Sequence, residues 1–187
     1  MRYSDGICRL SCTAALALSL VSFALTLAGC ESTPAWKDVQ SKEGGFSVSM
    51  PGTPAEKRQA FQTAAGPVEA HFFTVEADRG SLVYMVVYGD YPEALMESGD
   101  KEMLLDAARD GAVGNIRGTL LGERKISLGS HPGRELQVQS SDGRLALQMR
   151  IYLVNNRQYQ VVAVTPKETR STADRDRFLD SFRLTGN

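Results

Sequence analysis

LALQMRIYLVNNRQYQVVAVT, residues 145–165, is the stretch that decides the fold. Its first half alternates, because every second residue is apolar and two of the residues between them are Gln148 and Arg150. This period of two is typical of a strand with one buried face. Asn155-Asn156 has the residue types of a tight hairpin turn. The stretch therefore predicts two antiparallel strands, Leu145 to Val154 and Gln158 to Thr165. The residues on the apolar face of the first strand are Leu145, Leu147, Met149, Ile151 and Leu153.

The residues just before this hairpin predict two more strands of the same kind. Leu120 to Leu128 and Arg134 to Ser140 are rich in apolar residues and are separated by Gly129 and Pro132. Asp142-Gly143 then provides a second tight-turn pair before the first strand of the hairpin. Four consecutive strands joined by short turns indicate an antiparallel sheet.

The N-terminal half of the chain predicts three further strands. Phe46 to Met50 alternates apolar and polar residues, and Pro51 and Pro54 around Gly52 end it. Val68 to Ala77 and Leu82 to Tyr88 are joined by Asp78-Arg79-Gly80, a turn sequence. Because Leu82 to Tyr88 is apolar throughout, we expect a strand covered on both faces.

Two segments have the pattern of helices. Asp100 is a candidate N-cap for the first. Gly111 and Gly114 mark its predicted end, and its predicted apolar face comprises Met103, Leu104, Ala107 and Ala108. In the second segment, Ser171 and Asp174 resemble a capping box. That helix would bury Phe178, Leu179 and Phe182.

The elements together predict one domain over residues 36–187. About seven strands and two helices, with four strands in consecutive hairpins, give an α+β fold with an antiparallel sheet and flanking helices. A chain of this length can bury a single hydrophobic core.

The cysteines of the chain are Cys8, Cys12 and Cys30, all within its first thirty residues. Residues 10–27 are apolar or small, which is the length of the hydrophobic region of a signal peptide. Leu27-Ala28-Gly29-Cys30 follows and resembles the lipobox of bacterial lipoproteins. The resemblance implies that residues 1–29 are a signal peptide and that Cys30 is lipidated, with acyl chains such as palmitate. The alternative is an uncleaved N-terminal anchor.

Residues 30–35 would then be the lipidated cysteine and a short polar tether. A tether of this length holds the domain close to the bilayer, at about 3.3–3.6 Å per extended residue. Acyl chains on Cys30 would attach the protein to the membrane. In Gram-negative lipoproteins, Asp directly after the lipidated cysteine often signals retention in the inner membrane. This chain has Glu31 at that position, which favours the periplasmic face of the outer membrane.

Charge and cysteine content exclude several functions. The net charge is −1 and no run of like charge occurs, which argues against nucleic acid as a partner. Beyond Cys30 there is no cysteine, so the domain cannot form a disulfide, a thiolate metal site or a cysteine nucleophile.

Two segments resemble a known family. Gly45 to Pro54, GFSVSMPGTP, resembles the first strand and turn of PsbP-like domains, and Arg157 to Val161 followed by Phe178 to Phe182 is similar to their end. The resemblance covers residues 36–185 and identifies the Mog1/PsbP superfamily, which includes bacterial lipoproteins of the DcrB and LpqN kind. It implies an α/β/α sandwich around an antiparallel sheet. Because members mostly bind proteins or assist assembly, it also implies a non-enzymatic function.

Candidate catalytic and metal-binding residues are few. His71 and His131 lie sixty residues apart without HEXXH or HxH spacing, and no serine lies in a GxSxG motif. Asp174 and Asp176 could hold a cation, but neighbouring arginines favour a solvated helix face with ion pairs. We therefore expect no catalytic residue, no metal site and no cofactor.

Aromatic residues of the predicted strands provide the one candidate binding groove. Tyr152 and Tyr159, with Arg150 and Arg157, could line a groove between sheet and helix. The alternative is that the tyrosines pack in the core or on the sheet. We expect Trp36 to pack under the sheet, with contact to lipid headgroups as the alternative. The leading hypothesis is a lipid-anchored envelope protein whose domain binds an unidentified envelope protein or assembles a complex. The alternative is a small-molecule or lipid binding module that uses this groove.

Overall fold

The structure is a computed structural model that describes residues 35–63, 66–98, 100–169 and 172–186. In these ranges the chain forms ten strands, three α-helices and one short 3-10 helix, Asp78–Gly80. The helices are α1 (Glu93–Ser98), α2 (Lys101–Asn115) and α3 (Ala173–Ser181). The strands are β1 (Lys37–Ser41), β2 (Phe46–Met50), β3 (Ala55–Thr63), β4 (Gly66–Ala77), β5 (Leu82–Asp90), β6 (Thr119–Leu128), β7 (His131–Gln139), β8 (Leu145–Val154), β9 (Arg157–Pro166) and β10 (Arg183–Leu184).

The strands form two sheets. The large sheet has seven strands in the order β3-β4-β5-β9-β8-β7-β6, and every neighbouring pair is antiparallel. The small sheet has the order β1-β2-β10 and is also antiparallel. None of the helices combines the length and apolar character that crossing a bilayer requires, in the ranges that the structure describes.

The β8–β9 hairpin lies in the middle of the large sheet. Val154 pairs with Arg157, and Asn155 in the turn has φ of +53°. Asparagine tolerates this left-handed conformation better than most residues, and a tight hairpin turn requires it. The predicted antiparallel hairpin is confirmed.

One face of the large sheet is covered by α1 and α2. Leu104 and Leu105 of α2 are buried against side chains from β7, β8 and β9. The apolar face predicted for β8 is the face that packs here. This layer buries Leu136, Val138, Leu147, Met149, Ile151, Leu153 and Val162.

The opposite face is covered by the small sheet and α3. Phe46, with 0% of its surface exposed, contacts the rings of Phe73 and Phe182. Phe178 and Leu179 are the buried residues of α3. The three layers together confirm the predicted α+β fold with an antiparallel sheet of seven strands and flanking helices.

Three strands were not predicted, and one predicted strand lies in a different sheet. Phe46–Met50 forms β2 of the small sheet, and β3 takes its place as a strand of the large sheet. β1, β3 and β10 are the additional strands. Neither β1 (KDVQS) nor β3 (AEKRQAFQT) has the alternation that predicts a strand, because each lies at a sheet edge with most residues exposed.

Helix α2 begins where predicted but differs in its face and its end. Asp100 Oδ1 accepts the backbone N–H of Glu102 at 2.9 Å, which confirms the N-cap. Met103, which is 57% exposed, and Ala107 are exposed rather than buried, because the helix turns Leu104 and Leu105 toward the sheet. Gly111 lies inside the helix, which continues to Asn115.

Helix α3 buries Phe178 and Leu179, with Phe182 just after its end, as predicted. Ser171, the candidate cap, lies outside the described residues. The residue before the helix is Thr172, whose Oγ1 contacts Asp176 Oδ2 at 2.9 Å.

Candidate functional site

The two tyrosines of the predicted groove lie side by side in the core. Tyr152 and Tyr159 are directly opposite each other in the β8–β9 hairpin, and they are 5% and 3% exposed. The ring of Phe182 lies against both, with centroid distances of 6.0 Å and 5.5 Å. Burial is the first cause of the raised pKa of both phenols. The structure therefore brings the two tyrosines together beneath the end of α3, where their rings pack in the core.

The two arginines of the predicted groove are held by specific partners. Arg150 Nε lies 2.7 Å from Glu135 Oε2, and its Nη2 lies 2.7 Å from Asp180 Oδ1. Its Nη1 also donates to the backbone oxygen of Leu179, so this side chain joins the sheet to the end of α3. A ligand-binding role for Tyr152, Tyr159, Arg150 and Arg157 stays a prediction.

Arg157 fastens the turn between β1 and β2 to the large sheet. It forms a bidentate pair with Asp90, at 2.5 Å and 2.7 Å, and donates to the backbone oxygen of Glu43 at 2.6 Å. Tyr159 donates from its hydroxyl to the backbone oxygen of Gly44 at 2.6 Å. The two side chains therefore satisfy consecutive carbonyls of a turn that would otherwise be left to solvent.

An open pocket of about 330 Å³ lies beside this turn, at the β3 side of the large sheet. Its walls come from the turn, from β3 and β4, and from Tyr88 of β5. His71 lies at its base and is the predicted structural or surface histidine. Its Nε2 is 3.1 Å from Glu69 Oε1, and its Nδ1 is 3.1 Å from the Tyr88 hydroxyl.

Charged residues that sequence reasoning missed lie in and beside this pocket. Arg58 Nη2 lies 2.7 Å from Glu43 Oε2, and Arg58 Nη1 lies 3.8 Å from Glu69 Oε1. Glu43 lies in the β1–β2 turn, Arg58 on β3 and Glu69 on β4, and the fold rather than a local motif brings them together. Arg58 and His71 are opposite each other in the β3–β4 ladder, a register that depends on a strand not predicted.

Glu69, His71 and Tyr88 form a hydrogen-bonded chain at the pocket. Tyr88 is 3% exposed, and burial, with the Glu43 carboxylate nearby, raises the pKa of its phenol above the ordinary 10.0. The phenol therefore stays protonated at neutral pH. In the ranges that the structure describes, no three His, Cys, Asp or Glu side chains come together in a way that could hold a metal ion.

The remaining singled-out residues lie elsewhere on the surface. His131 begins β7 beside a second open pocket, near Arg183. Trp36 packs edge-on against Tyr84 with ring centroids 5.9 Å apart, and the guanidinium of Arg177 lies 4.4 Å from the Trp36 ring centroid. Trp36 therefore packs against the domain, as predicted. The predicted lipobox, Leu27, Ala28 and Gly29 with Cys30, lies outside the described residues.

The most exposed part of the large sheet is strand β3. Every residue from Ala55 to Gln62 is exposed, and among the described residues the strand pairs only with β4. Phe61 is 39% exposed and lies 6.2 Å from the ring of Phe72. Sequence reasoning missed this surface, because β3 itself was not predicted.

Comparison with known proteins gives a match in structure. The solution structure of cyanobacterial PsbP (CyanoP) from Synechocystis sp. PCC 6803 aligns over 86% of this chain and 98% of that chain, with 10% sequence identity and a TM-score of 0.54. The fold is PsbP-like. This confirms the fold that the resemblance of Gly45 to Pro54 implies.

Other comparisons add little to the PsbP-like assignment. PA94 from Pseudomonas aeruginosa, a protein of unknown function, aligns over 71% of this chain and 83% of that chain, with 13% identity and a TM-score of 0.33. No family model and no curated protein matches the chain.

Proposed function

We propose that this protein is a bacterial envelope lipoprotein of the DcrB and LpqN kind. Acyl chains on Cys30 hold it at the periplasmic face of the outer membrane, and its PsbP-like domain binds protein and assembles a complex without catalysing a reaction. Three observations support the domain's part of this proposal: an exposed strand edge, polar clusters whose charges are already paired, and a sheet–helix layer filled by side chains.

The observation that carries the proposal is the free edge of β3. An edge strand presents a row of backbone N–H and C=O groups that another chain can pair with. Exposure on both faces leaves Phe61 accessible beside that row. An aromatic side chain next to open backbone groups is suited to binding an extended protein segment.

The titratable groups with shifted pKa values support a non-catalytic domain. The pKa values of Glu102 and Asp142 are lowered to about 2, the first mainly by Arg134 and the second mainly by Ser140. Glu135 has a lowered pKa because Arg124 and Arg150 outweigh the effect of its burial. Carboxylates held as stable anions by arginines or turn donors are poor proton donors at neutral pH, so these clusters favour a structural role.

The alternative, a small-molecule or lipid binding module, is less well supported. The space between the sheet and α3 is filled by Phe178, Leu179 and Phe182, none of them more than 2% exposed. The open pocket beside His71 is lined mainly by polar and charged side chains. Binding sites for small molecules are usually enclosed and apolar, and neither place has both properties.

The test is site-specific photocrosslinking in cells. A photoreactive phenylalanine analogue is placed at Phe61 in one strain and at Leu121, on β6 at the opposite edge, in another. We expect a protein adduct from position 61 that recurs between preparations, and a weaker adduct or none from position 121. Leu121 is the matched control because it is 62% exposed and also lies on an edge strand. A folded domain with no protein adduct at position 61 would contradict the proposal.

A further inference from the structure

The two free edges of the large sheet differ in how well they are protected. β6 has a register irregularity between Leu120 and Gly122 and carries Glu123, Arg124 and Lys125 in succession. Bulges and charges are the devices by which edge strands avoid pairing with other chains. β3 also carries charges in succession, at Glu56, Lys57 and Arg58, but it pairs with β4 in unbroken register over its nine residues, and its half from Gln59 onward has no charge and no proline. The β3 edge is therefore the one open to pairing.

The far end of β3 also lacks support from the rest of the sheet. The ladder between β4 and β5 ends at Ala70, which pairs with Gly89. Beyond it, Ala60 to Thr63 pair with Gly66 to Glu69 alone, as a two-stranded ribbon. Two strands by themselves are marginally stable in water, so this ribbon gains from an additional strand.

The sequence of β3 is complementary to itself when two copies run antiparallel. Gln59 is the middle residue of Ala55–Thr63, so pairing the whole strand with its copy places Gln59 opposite Gln59. In that register Lys57 faces Phe61 of the other copy, where its cation can lie over the ring. Arg58 faces Ala60, and Glu56 faces Gln62, so no like charges are directly opposite.

Shifting the register toward the N-terminus of β3 brings like charges together. Centring the pairing one residue earlier puts Arg58 opposite Arg58, and two residues earlier puts Lys57 opposite Lys57. Like charges directly opposite each other destabilise a strand pair. The register that pairs the full length of β3 therefore also avoids placing like charges directly opposite each other. Arg58 of each copy is already paired with Glu43 at 2.7 Å, which offsets the diagonal approach of the two guanidinium groups.

We infer that the β3 edge binds the β3 edge of a second copy of this chain, antiparallel about a twofold axis at Gln59. The two seven-stranded sheets then become one continuous sheet, in an isologous dimer. This inference rests on the proposed function, in which the β3 edge binds protein, and it identifies that protein as a second copy of the chain. Each dimer would carry two lipidated cysteines, which strengthens attachment to the membrane.

The first test is disulfide trapping of single cysteines in the full chain, expressed in bacterial membranes with Cys8→Ala and Cys12→Ala. Gln59→Cys brings two thiols together at the axis, and we expect a covalent dimer above the background of the parent chain after mild oxidation. Lys57→Cys alone should give none, because two copies of position 57 lie about 13 Å apart along the strands and a disulfide needs Cα atoms within about 7 Å. Lys57→Cys and Phe61→Cys chains expressed together should form the mixed dimer.

The second test uses the same substitution at two positions of β3. Gln59→Lys puts two ammonium groups opposite each other, and we expect the dissociation constant of the detergent-solubilised dimer to rise at least tenfold. Gln62→Lys instead faces Glu56 of the other copy, so its dimer should be as tight or tighter. Analytical ultracentrifugation measures both dissociation constants. Gln59 and Gln62 are both exposed in the single chain, so neither substitution changes a buried side chain.

Two outcomes would overturn the inference. One is a Gln59→Cys chain that stays at the parent's background. The other is equal weakening of the dimer by Gln59→Lys and Gln62→Lys. If photocrosslinking at position 61 then captures a different protein, the β3 edge still binds protein and only the second copy is wrong. If position 61 captures nothing and no covalent dimer forms, the proposed function fails as well.

Discussion

Gly133 is the residue at which β7 has least room for a side chain. A Cβ atom there would lie 2.4 Å from the backbone oxygen of Ile151 and 2.7 Å from Cδ1 of Tyr152. The first neighbour is backbone of the paired strand β8, so it cannot move aside without disturbing the ladder. We expect Gly133→Ala to lower the free energy of unfolding by about 2 kcal/mol or more, measured by urea denaturation.

Gly111→Ala is the matched control, because it is the same substitution in open space. No atom lies within 4 Å of a Cβ built there, and the residue is inside α2. Alanine has a higher helix propensity than glycine, so we expect a gain of about 0.5–1 kcal/mol. Equal destabilisation by the two substitutions would contradict the steric explanation at Gly133.

Glu135 is a buried carboxylate whose contribution to stability depends on pH. It is 6% exposed, and Arg124 Nε and Arg150 Nε lie 2.8 Å and 2.7 Å from its oxygens. Burial raises its pKa, but the two arginines lower it further, so the net pKa is below the ordinary 4.5. A carboxylate with a lowered folded-state pKa stabilises the fold above its unfolded pKa, and this stabilisation is lost as the pH falls through the folded pKa.

We expect Glu135→Gln to lower the free energy of unfolding at pH 7 by about 2 kcal/mol, since charged hydrogen bonds contribute about 1.5–3 kcal/mol. The difference from the parent should shrink as the pH falls below 4.5, because the parent loses its own ion pairs there. Urea denaturation at pH 7 and pH 3.5 measures this. Glu102→Gln should cost less at pH 7, because the Glu102 side chain is 42% exposed and solvent screens its pairs. If the difference in the free energy of unfolding between Glu135→Gln and the parent does not change with pH, the expectation is wrong.

At the scale of elements, Phe182 holds α3 and β10 against the large sheet. It is 2% exposed, stacks on Phe46 with centroids 5.6 Å apart, and lies parallel to Tyr152 at 6.0 Å. We expect Phe182→Ala to lower the free energy of unfolding by about 3–5 kcal/mol, the usual cost of removing a buried ring. Phe61→Ala removes the same side chain from an exposed strand and should cost well under 1 kcal/mol in a chain kept dilute. If Phe182→Ala costs no more than Phe61→Ala, the ring does not anchor α3.

The elements with one buried face were predictable from sequence, and the edges were not. Phe46–Met50 and Leu145–Val154 have the predicted bounds, because alternation of apolar and polar residues directly reports one-sided burial. β3 is exposed on both faces, so burial leaves no period in its sequence. Its strand conformation comes from backbone pairing with β4, which no local pattern reveals.

The candidate groove shows a second limit of the same kind. Alternation correctly places Arg150 and Tyr152 on one face of β8, and Arg157 and Tyr159 on one face of β9. It does not show what covers that face. The carbonyl of Glu43, which Arg157 binds, lies 114 residues away along the chain, and Leu179, whose carbonyl Arg150 binds, is 29 residues away. The tertiary fold sets these partners, and the partners hold the side chains of Arg150 and Arg157 in place.

At the scale of the whole molecule, the proposed lipoprotein is a folded domain attached to a membrane through one residue. The domain supplies the open β3 edge, and in the proposed lipoprotein the predicted tether of residues 30–35 would keep that edge close to the bilayer. Confinement near a membrane raises the effective concentration of a second copy, so even a modest strand pairing can be populated there. Detachment from the membrane should therefore weaken self-association without changing the fold.

Cys30→Ala tests this division of roles. Without the thiol, no acyl chain can be added, and we expect an unprocessed precursor or a form that leaves the membrane fraction without detergent. The Tm of the purified domain should match the parent's, because Cys30 precedes the domain predicted over residues 36–187. Cys12→Ala should leave membrane attachment unchanged, since Cys12 lies in the predicted signal peptide. Fractionation, intact mass and thermal unfolding measure the three properties. A Cys30→Ala chain that still has the processed mass and still requires detergent for extraction would show that something other than lipidation of Cys30 holds the protein at the membrane.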